Sequence, residues 1–239
     1  MKQTGNRLAS ADPSPAPAAA LIGDPVRAAM LCALLDRGEL SAGELAYRAR
    51  VAPNAASAHL AKLVSGRLIT VRTLGRQRLF ALASGNVARA LEALSVLAPP
   101  VRVVGLSQAR IAEDLQAARS CYDHLAGRLG VAVTEALVDR GMLVPARDSA
   151  YRLTAAGTAF CAALSISVSS LQAERRHFAR QCMDWSERRP HLAGALGAAL
   201  RTVLLENGWV ECKVGSRAMR LTPAGMRWLR ATLAIELRS

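Results

Sequence analysis

The chain has 239 residues, 51% of them hydrophobic, so it can bury a core and general disorder is excluded. Lys and Arg number 31 against 18 Asp and Glu, a formal charge of +13, which points to a polyanionic partner, nucleic acid before membrane. Five cysteines without a CxxC pair, a polar N-terminus and no long uncharged apolar run fit a protein of the reducing cytoplasm, and 4% aromatics argue against stacking single-stranded bases.

Residues 1–20 combine Pro13, Pro15 and Pro17 with Ala and Ser and are expected to form a flexible arm. From Asp24 to Arg37, Val26, Met30, Leu31, Leu34 and Leu35 recur at helical spacing. Asp24 is the N-cap, Pro25 the first helical residue and Gly38 the stop. Ser41 and Glu44 form a capping box that opens a second helix over about 41–49. After Val51-Ala52-Pro53, Asn54 is expected to cap a third helix that runs to Ser65, packs through Ala55, Ala58, Leu60 and Leu63, and stops at Gly66. Residues 68–82 read as a β-hairpin around Leu74-Gly75-Arg76, and 86–97 as another helix ending at Pro99-Pro100. That proline pair is the expected boundary between a domain at 21–100 and a second region at 101–239.

The second region repeats itself. HLAGRLG at 124–130 returns as HLAGALG at 191–197, an offset of 67. LVDRGMLV at 137–144 matches LLENGWVE at 204–211, and YRLTAAG at 151–157 matches MRLTPAG at 219–225. Each unit, at about 121–164 and 188–232, is expected to be a helix, a Gly turn, a short hairpin and a helix opened by a Thr cap. A longer helix over 164–189 would link them. The fold class is thus mainly α with small β-hairpins (α+β): a winged helix-turn-helix domain followed by two degenerate winged-helix-like repeats.

Between Glu44 and Glu92 there is no carboxylate, while Arg48, Arg50, Lys62, Arg67, Arg72, Arg76, Arg78 and Arg89 are all cationic. Nothing in this stretch opposes approach to a phosphate backbone. The third helix presents Asn54, Ala55, Ser57, Ala58, His59 and Lys62, slim enough for a major groove about 12 Å wide, with Asn and Ser to read base edges. Arg72, Arg76 and Arg78 on the hairpin suit neighbouring phosphates or the minor groove. An ordinary solvated basic face is the plainer reading of the same residues.

The segment GELAYRARVAPNAASAHLAKLVSGRLITVRTLGRQRLFAL resembles the helix-turn-helix and wing of the ArsR type of bacterial transcription regulators, over residues 21–97. The resemblance makes Asn54 to Val64 the recognition helix. It implies a homodimer on double-stranded DNA of imperfect two-fold symmetry, with repression relieved or altered by an effector. Two familiar metal sites of that family are missing: ELAYRAR carries no CxC pair, and NVARALEALSVL no His or Asp. DNA binding carries over; arsenic or zinc sensing through those sites does not.

Cys121 and His124 are three apart and would share one face of a helix; Cys182 and His191, with His177 nearby, could complete a metal or thiol site against it. The recurrence of His124 as His191, with Arg188 opposite Cys121 at the offset of 67, makes packing the plainer role of the histidines, and burial as small hydrophobes the plainer role of Cys121 and Cys182. Glycines 127, 130, 194 and 197 are expected at close helix contacts, and Cys32, Cys161 and Cys212 in the core. An organic effector between the repeats, lined by Met142, Trp185, Trp209 or Met219, is a further option. No phosphate loop, GxSxG or HExxH supports catalysis, and no cofactor is required. The rival to a DNA-binding regulator is a winged-helix scaffold that binds proteins.

Overall fold

The structure, a computed structural model, describes residues 13–99 and 105–237. It divides into two compact units: one runs to Leu34 and resumes at Gly38–Ser84, and the other combines Leu35–Arg37 with Gly85 onward. The division precedes Gly85, ahead of the expected Pro99-Pro100 boundary, of which Pro100 lies outside the described residues.

The first unit opens with α1 (Ala16–Ile22), so the latter part of the expected arm is helical; its first twelve residues lie outside the description. Pro15 and Pro17 stand at the helix start, where a missing N–H leaves no bond unmade, and the run Ala18 to Ala20 favours helix. In α2 (Pro25–Arg37) the Asp24 carboxylate accepts from Arg27 N as foreseen. Arg27 ties the two helices together, donating through Nε to Leu21 O at 2.7 Å and through Nη2 to Ala20 O at 2.9 Å.

Strand β1 (Leu40–Ser41) leads into α3 (Ala42–Ala49), whose Ser41/Glu44 capping box is complete. Helix α4 (Pro53–Ser65) begins earlier than expected: its N-cap is Ala52, without a side-chain bond, because Pro53 presets the helical φ at a position needing no donor. Asn54 is thereby released from capping. Strands β2 (Ile69–Leu74) and β3 (Gln77–Leu82) form the wing, with β1 pairing β3 to give the order β1-β3-β2. Gly75, at φ 59°, takes the first position of the two-residue turn between Leu74 and Gln77, where a side chain would be strained. Ala56, Leu60 and Leu63 are the buried stripe of α4.

The second unit contains α5 (Gly85–Leu97) and α6 (Leu106–Ala117), then the two repeats. The first is β4 (Arg119–Cys121), β5 (His124–Ala126), α7 (Gly127–Asp139), β6 (Leu143–Pro145), β7 (Tyr151–Leu153) and α8 (Ala155–Ala163). A short α9 (Val168–Gln172) follows. The second is β8 (Arg180–Met183), β9 (Pro190–Ala193), α10 (Gly194–Glu206), β10 (Val210–Cys212), β11 (Met219–Leu221) and α11 (Pro223–Leu233). Both repeats therefore start with a hairpin ahead of the expected boundary. The long helix foreseen over 164–189 is absent. The serine-rich, β-branched run Ser165 to Ser170 and the charged run Glu174 to Arg176 have no apolar helical period, and β8 takes up Arg180 to Met183.

The two repeats are locked by reciprocal bonds. Strand β4 joins the wing of the second repeat, with Ser120 N donating to Arg217 O at 2.9 Å and Met219 N to Ala118 O at 2.8 Å. Likewise β8 joins the wing of the first, with Gln181 N donating to Ser149 O at 2.7 Å and Tyr151 N to Ala179 O at 3.1 Å. A single β-bridge thus ties each two-stranded wing to the opening hairpin of the other repeat. One core, including Leu129, Val133, Leu137, Leu196, Leu200 and Leu204, fills the space between them.

Thr154 and Thr222 make the same bonds twice: the hydroxyl accepts from Gly157 N or Gly225 N and donates to Gly141 O or Gly208 O. Glycines 130 and 197 are close contacts, though against their own hairpins rather than another helix. A Cβ at either would stand 2.5 Å from Leu125 O or Leu192 O. Thr222→Ala is expected to destabilise this unit by about 1–2 kcal/mol, measured by urea denaturation, with Thr222→Ser close to wild type.

Candidate functional sites

Helix α4 keeps the slim exposed profile expected of a helix that enters a groove. Asn54, Ala55, Ser57, Ala58 and Lys62 are exposed on the side opposite Ala56, Leu60 and Leu63. Ser57 spends its hydroxyl on Pro53 O at 3.1 Å, while no bond within the protein occupies the side chain of Asn54 among those the structure resolves. His59 departs from expectation: it is half-buried, with Nδ1 3.5 Å from Asp24 Oδ1, and so turns back toward the start of α2. Position i+3 from the buried Ala56 places it at the edge of the packed face.

The wing is exposed from Thr70 to Arg78, with Arg76 at its turn. Arg78 lies over the Phe80 ring at 5.4 Å. Arg72 is not a bare cation. Glu39, the residue before β1, holds it through two bonds, Nε to Oε1 at 2.7 Å and Nη2 to Oε2 at 2.5 Å. The hydrogen bonds raise the guanidinium pKa and lower that of the carboxyl. The carboxylate-free stretch is real in sequence, yet strand pairing brings in a carboxylate from outside it.

The second site lies between the repeats. Cys121 and His124 do not share a helix face; they are partners across the β4–β5 turn, and Cys182 and His191 are partners across β8–β9. HLAG is the second strand of a hairpin plus the first residue of a helix, so a helical spacing argument fails there. One ligand atom from each of the four residues lies within 4.8 Å of all the others. The two Sγ atoms are 3.9 Å apart and the imidazole centroids 5.1 Å. Cys121, His124 and His191 are buried and Cys182 is partly buried. His177 is exposed and stands outside the group.

Register explains why sequence sliding paired Cys121 with Arg188. The turn of the first hairpin holds only Tyr122 and Asp123, whereas residues 184–189 separate β8 from β9. The offset is 61 before the turn and 67 after it, so Cys121 corresponds to Cys182 and His124 to His191. The signal in sequence is an R-x-C-x-D stretch before each HLAG: Arg119-Ser-Cys121-Tyr-Asp123 and Arg180-Gln-Cys182-Met-Asp184.

Asp123 and Asp184 are the residues that inspection of spacing missed. Asp123 Oδ1 is 3.1 Å from His124 Nδ1, and Asp184 Oδ2 is 3.4 Å from His191 Nδ1. Asp184 is fully buried, paired with Arg119 at 2.9 Å, and accepts from Gly127 N at 2.7 Å. Burial would raise its carboxyl pKa, but Arg119, Ser186 and Gly127 together hold it well below the usual range. Arg119 in turn lies 4.3 Å over the Trp185 ring. The hydrogen bond with Cys182 and burial push the Cys121 thiol up. The same bond pulls Cys182 down against its burial, with help from His124 and His191.

Of the remaining candidates, Cys161 is buried, whereas Cys32 and Cys212 are exposed rather than in the core. The option of an organic effector finds little room: the void beside Met142 is about 10 Å³, a single water at most. Trp209 stacks on Trp228 at 4.2 Å, while Trp185 is engaged with Arg119, so these side chains do not line one chamber. Among the described residues no single helix is long and apolar enough to cross a membrane.

Comparison with known proteins adds three kinds of likeness. A family model described as a helix-turn-helix domain matches residues 22–72. The HTH-type transcriptional regulator YdfF of Bacillus subtilis (strain 168) is 42% identical over 214 residues, 90% of this chain and 94% of that protein. Among solved structures, HlyU from Vibrio cholerae N16961 is 32% identical over 34% of this chain and 88% of its own, with a TM-score of 0.32. The homodimeric winged helix-turn-helix DNA-binding domain of Mb0332 from Mycobacterium bovis is 27% identical over 34% and 75%, with a TM-score of 0.33.

The Glu39–Arg72 pair yields a direct expectation for duplex binding. Glu39→Gln should free one cation, tighten binding to any duplex at low salt, and steepen the dependence of log Kd on log salt by about one, read by fluorescence anisotropy.

Proposed function

Since the chain belongs to the HTH-type transcriptional regulators, with an ArsR-like winged helix-turn-helix at its N-terminus, we propose that α4 and the β2–β3 wing are its operator-reading surface. Asn54 and Ser57 address base edges, Ala55 and Ala58 permit close approach, and Lys62, Arg76 and Arg78 contact phosphates. Arg72 joins them once a phosphate displaces Glu39. The observation that carries this reading is the exposed polar stripe of α4, unspent on capping, beside an exposed arginine-bearing hairpin.

The protein acts in the cytoplasm as a homodimeric repressor whose operator affinity answers to a signal at the second unit. Exposed Leu94 and Leu97 on α5 and Leu106 and Ile111 on α6 supply apolar surface for a second copy. Two recognition helices set about 34 Å apart then fit successive major grooves, so that a small rotation of the halves abolishes simultaneous docking. A scaffold that binds only proteins would need neither a free Asn54 nor a cationic wing.

Selection of bound duplexes from a random pool tests both site and symmetry. A dimer recovers two half-sites separated by about one helical turn. Arg76→Ala should weaken binding to all duplexes and lower the salt slope by about one. Asn54→Ala should cost about 1–3 kcal/mol at particular base pairs and little elsewhere. A protein that enriches no duplex, or whose binding ignores salt, is not an operator-binding regulator of this design.

A further inference from the structure

We propose that Cys121, His124, Cys182 and His191 bind one zinc ion that staples the two repeats together, with Asp123 and Asp184 as positioning residues behind the histidines. The site gives chemical content to the reading of the second unit as the sensing half, and rests on that reading only for its regulatory meaning.

Four arguments converge. First, the donor set is two sulfurs and two imidazoles, the complement of a closed tetrahedral zinc site. Second, the spacing is right. Zinc–sulfur bonds of about 2.3 Å at the tetrahedral angle place the sulfurs about 3.8 Å apart, and the two Sγ atoms stand at 3.9 Å. Third, both imidazoles have a buried nitrogen free to ligate. The Asp123 carboxylate bonds to His124 Nδ1, which places the proton there and leaves Nε2 as the lone-pair donor, while Asp184 stands 3.4 Å from His191 Nδ1 without a hydrogen bond, so that both nitrogens of His191 are unpartnered. His124 Nε2 and His191 Nε2 are both buried with no hydrogen-bond partner, an expensive condition that an ion relieves.

The fourth argument is charge. Two thiolates, two neutral imidazoles and a divalent ion sum to zero, which a buried site requires. The supporting carboxylates bring their own cations: Arg119 for Asp184, and Arg176, 2.7 Å away, for Asp123. Binding releases the two thiol protons to solvent and changes no oxidation state. Each repeat contributes one Cys, one His and one backing Asp in the same order, so the ion sits where the two hairpins meet.

The test uses the full chain, purified without chelator and exchanged against Zn²⁺ or Co²⁺, with no DNA present. One zinc per chain by elemental analysis, and a cobalt form with thiolate charge-transfer and intense tetrahedral d–d bands, are expected. Cys121→Ser with Cys182→Ser should abolish both. Asp123→Asn, at a partly exposed position, should leave the circular dichroism spectrum intact and weaken zinc about 10–100-fold in competition with a chromophoric chelator. Chelation should lower the thermal midpoint of the wild-type protein and leave the double-serine variant unmoved.

The proposal is overturned by a folded chain that takes up no stoichiometric zinc, by an octahedral cobalt spectrum, or by metal held equally well without the two cysteines. A Cys121–Cys182 disulfide in fresh protein, seen as a mass lower by two hydrogens, would also overturn it. Because no outcome involves duplex binding, failure here leaves the operator reading intact, and the reverse holds too.

Discussion

A single carboxylate holds the second unit in register. Asp184 belongs to the second repeat, yet it accepts the Gly127 amide at the start of the first repeat's main helix and pairs with Arg119 of the first repeat's opening strand. An ionised group without any exposed surface is tolerated only when its attractions exceed the loss of hydration. Here four residues supply them, Ser186 and the Glu187 amide included. Displacing any of these partners leaves a charge stranded, so the hairpins and α7 have little freedom to slide. The imidazole of His191 inherits that rigidity.

A second buried ion pair acts in the same unit. Arg217 on the second wing reaches Glu92 of α5 and, through Nε at 2.9 Å, Asp36. Burial opposes the charge on Arg217, but the two carboxylates raise its pKa all the same. This explains why the compact division falls before α5 rather than at the prolines that end it. Helix α5 reads as an independent amphipathic element in sequence, and its buried glutamate finds its partner well over a hundred residues downstream. Local letters carry no trace of such a pairing.

What could be read in advance was governed by local chemistry. The caps at Asp24, Ser41, Thr154 and Thr222 and the Gly75 turn are each decided within a few residues, and they stand as the sequence implies, whereas the packed stripe of α4 holds Ala56 with Leu60 and Leu63 in place of the expected Ala55 and Ala58. The family resemblance over residues 21–97 rests on the same stretch. Asn54 and His59 were misjudged by small margins: a proline shifted the cap, and an aspartate at the head of α2 drew the ring inward. Arg72 was misjudged by a long one, since Glu39 reaches it only through β pairing. The four-residue cluster was visible as a set of names but not as a geometry. A helical spacing was assumed where hairpins stand, and an insertion between strands hid the match of Cys121 to Cys182. With that insertion set aside, Cys121 aligns with Cys182 and Asp123 with Asp184.

The reciprocal bridging between the repeats carries an evolutionary corollary. A forerunner with one copy of the motif would hold half of the ligands and one side of each bridge, and could complete them only by meeting another molecule of itself. Joining two copies in tandem turns that encounter into an intramolecular one, so assembly of the centre no longer depends on how much protein the cell contains. It would also free the halves to diverge, as the longer turn that carries Trp185 and Ser186 in the second copy does.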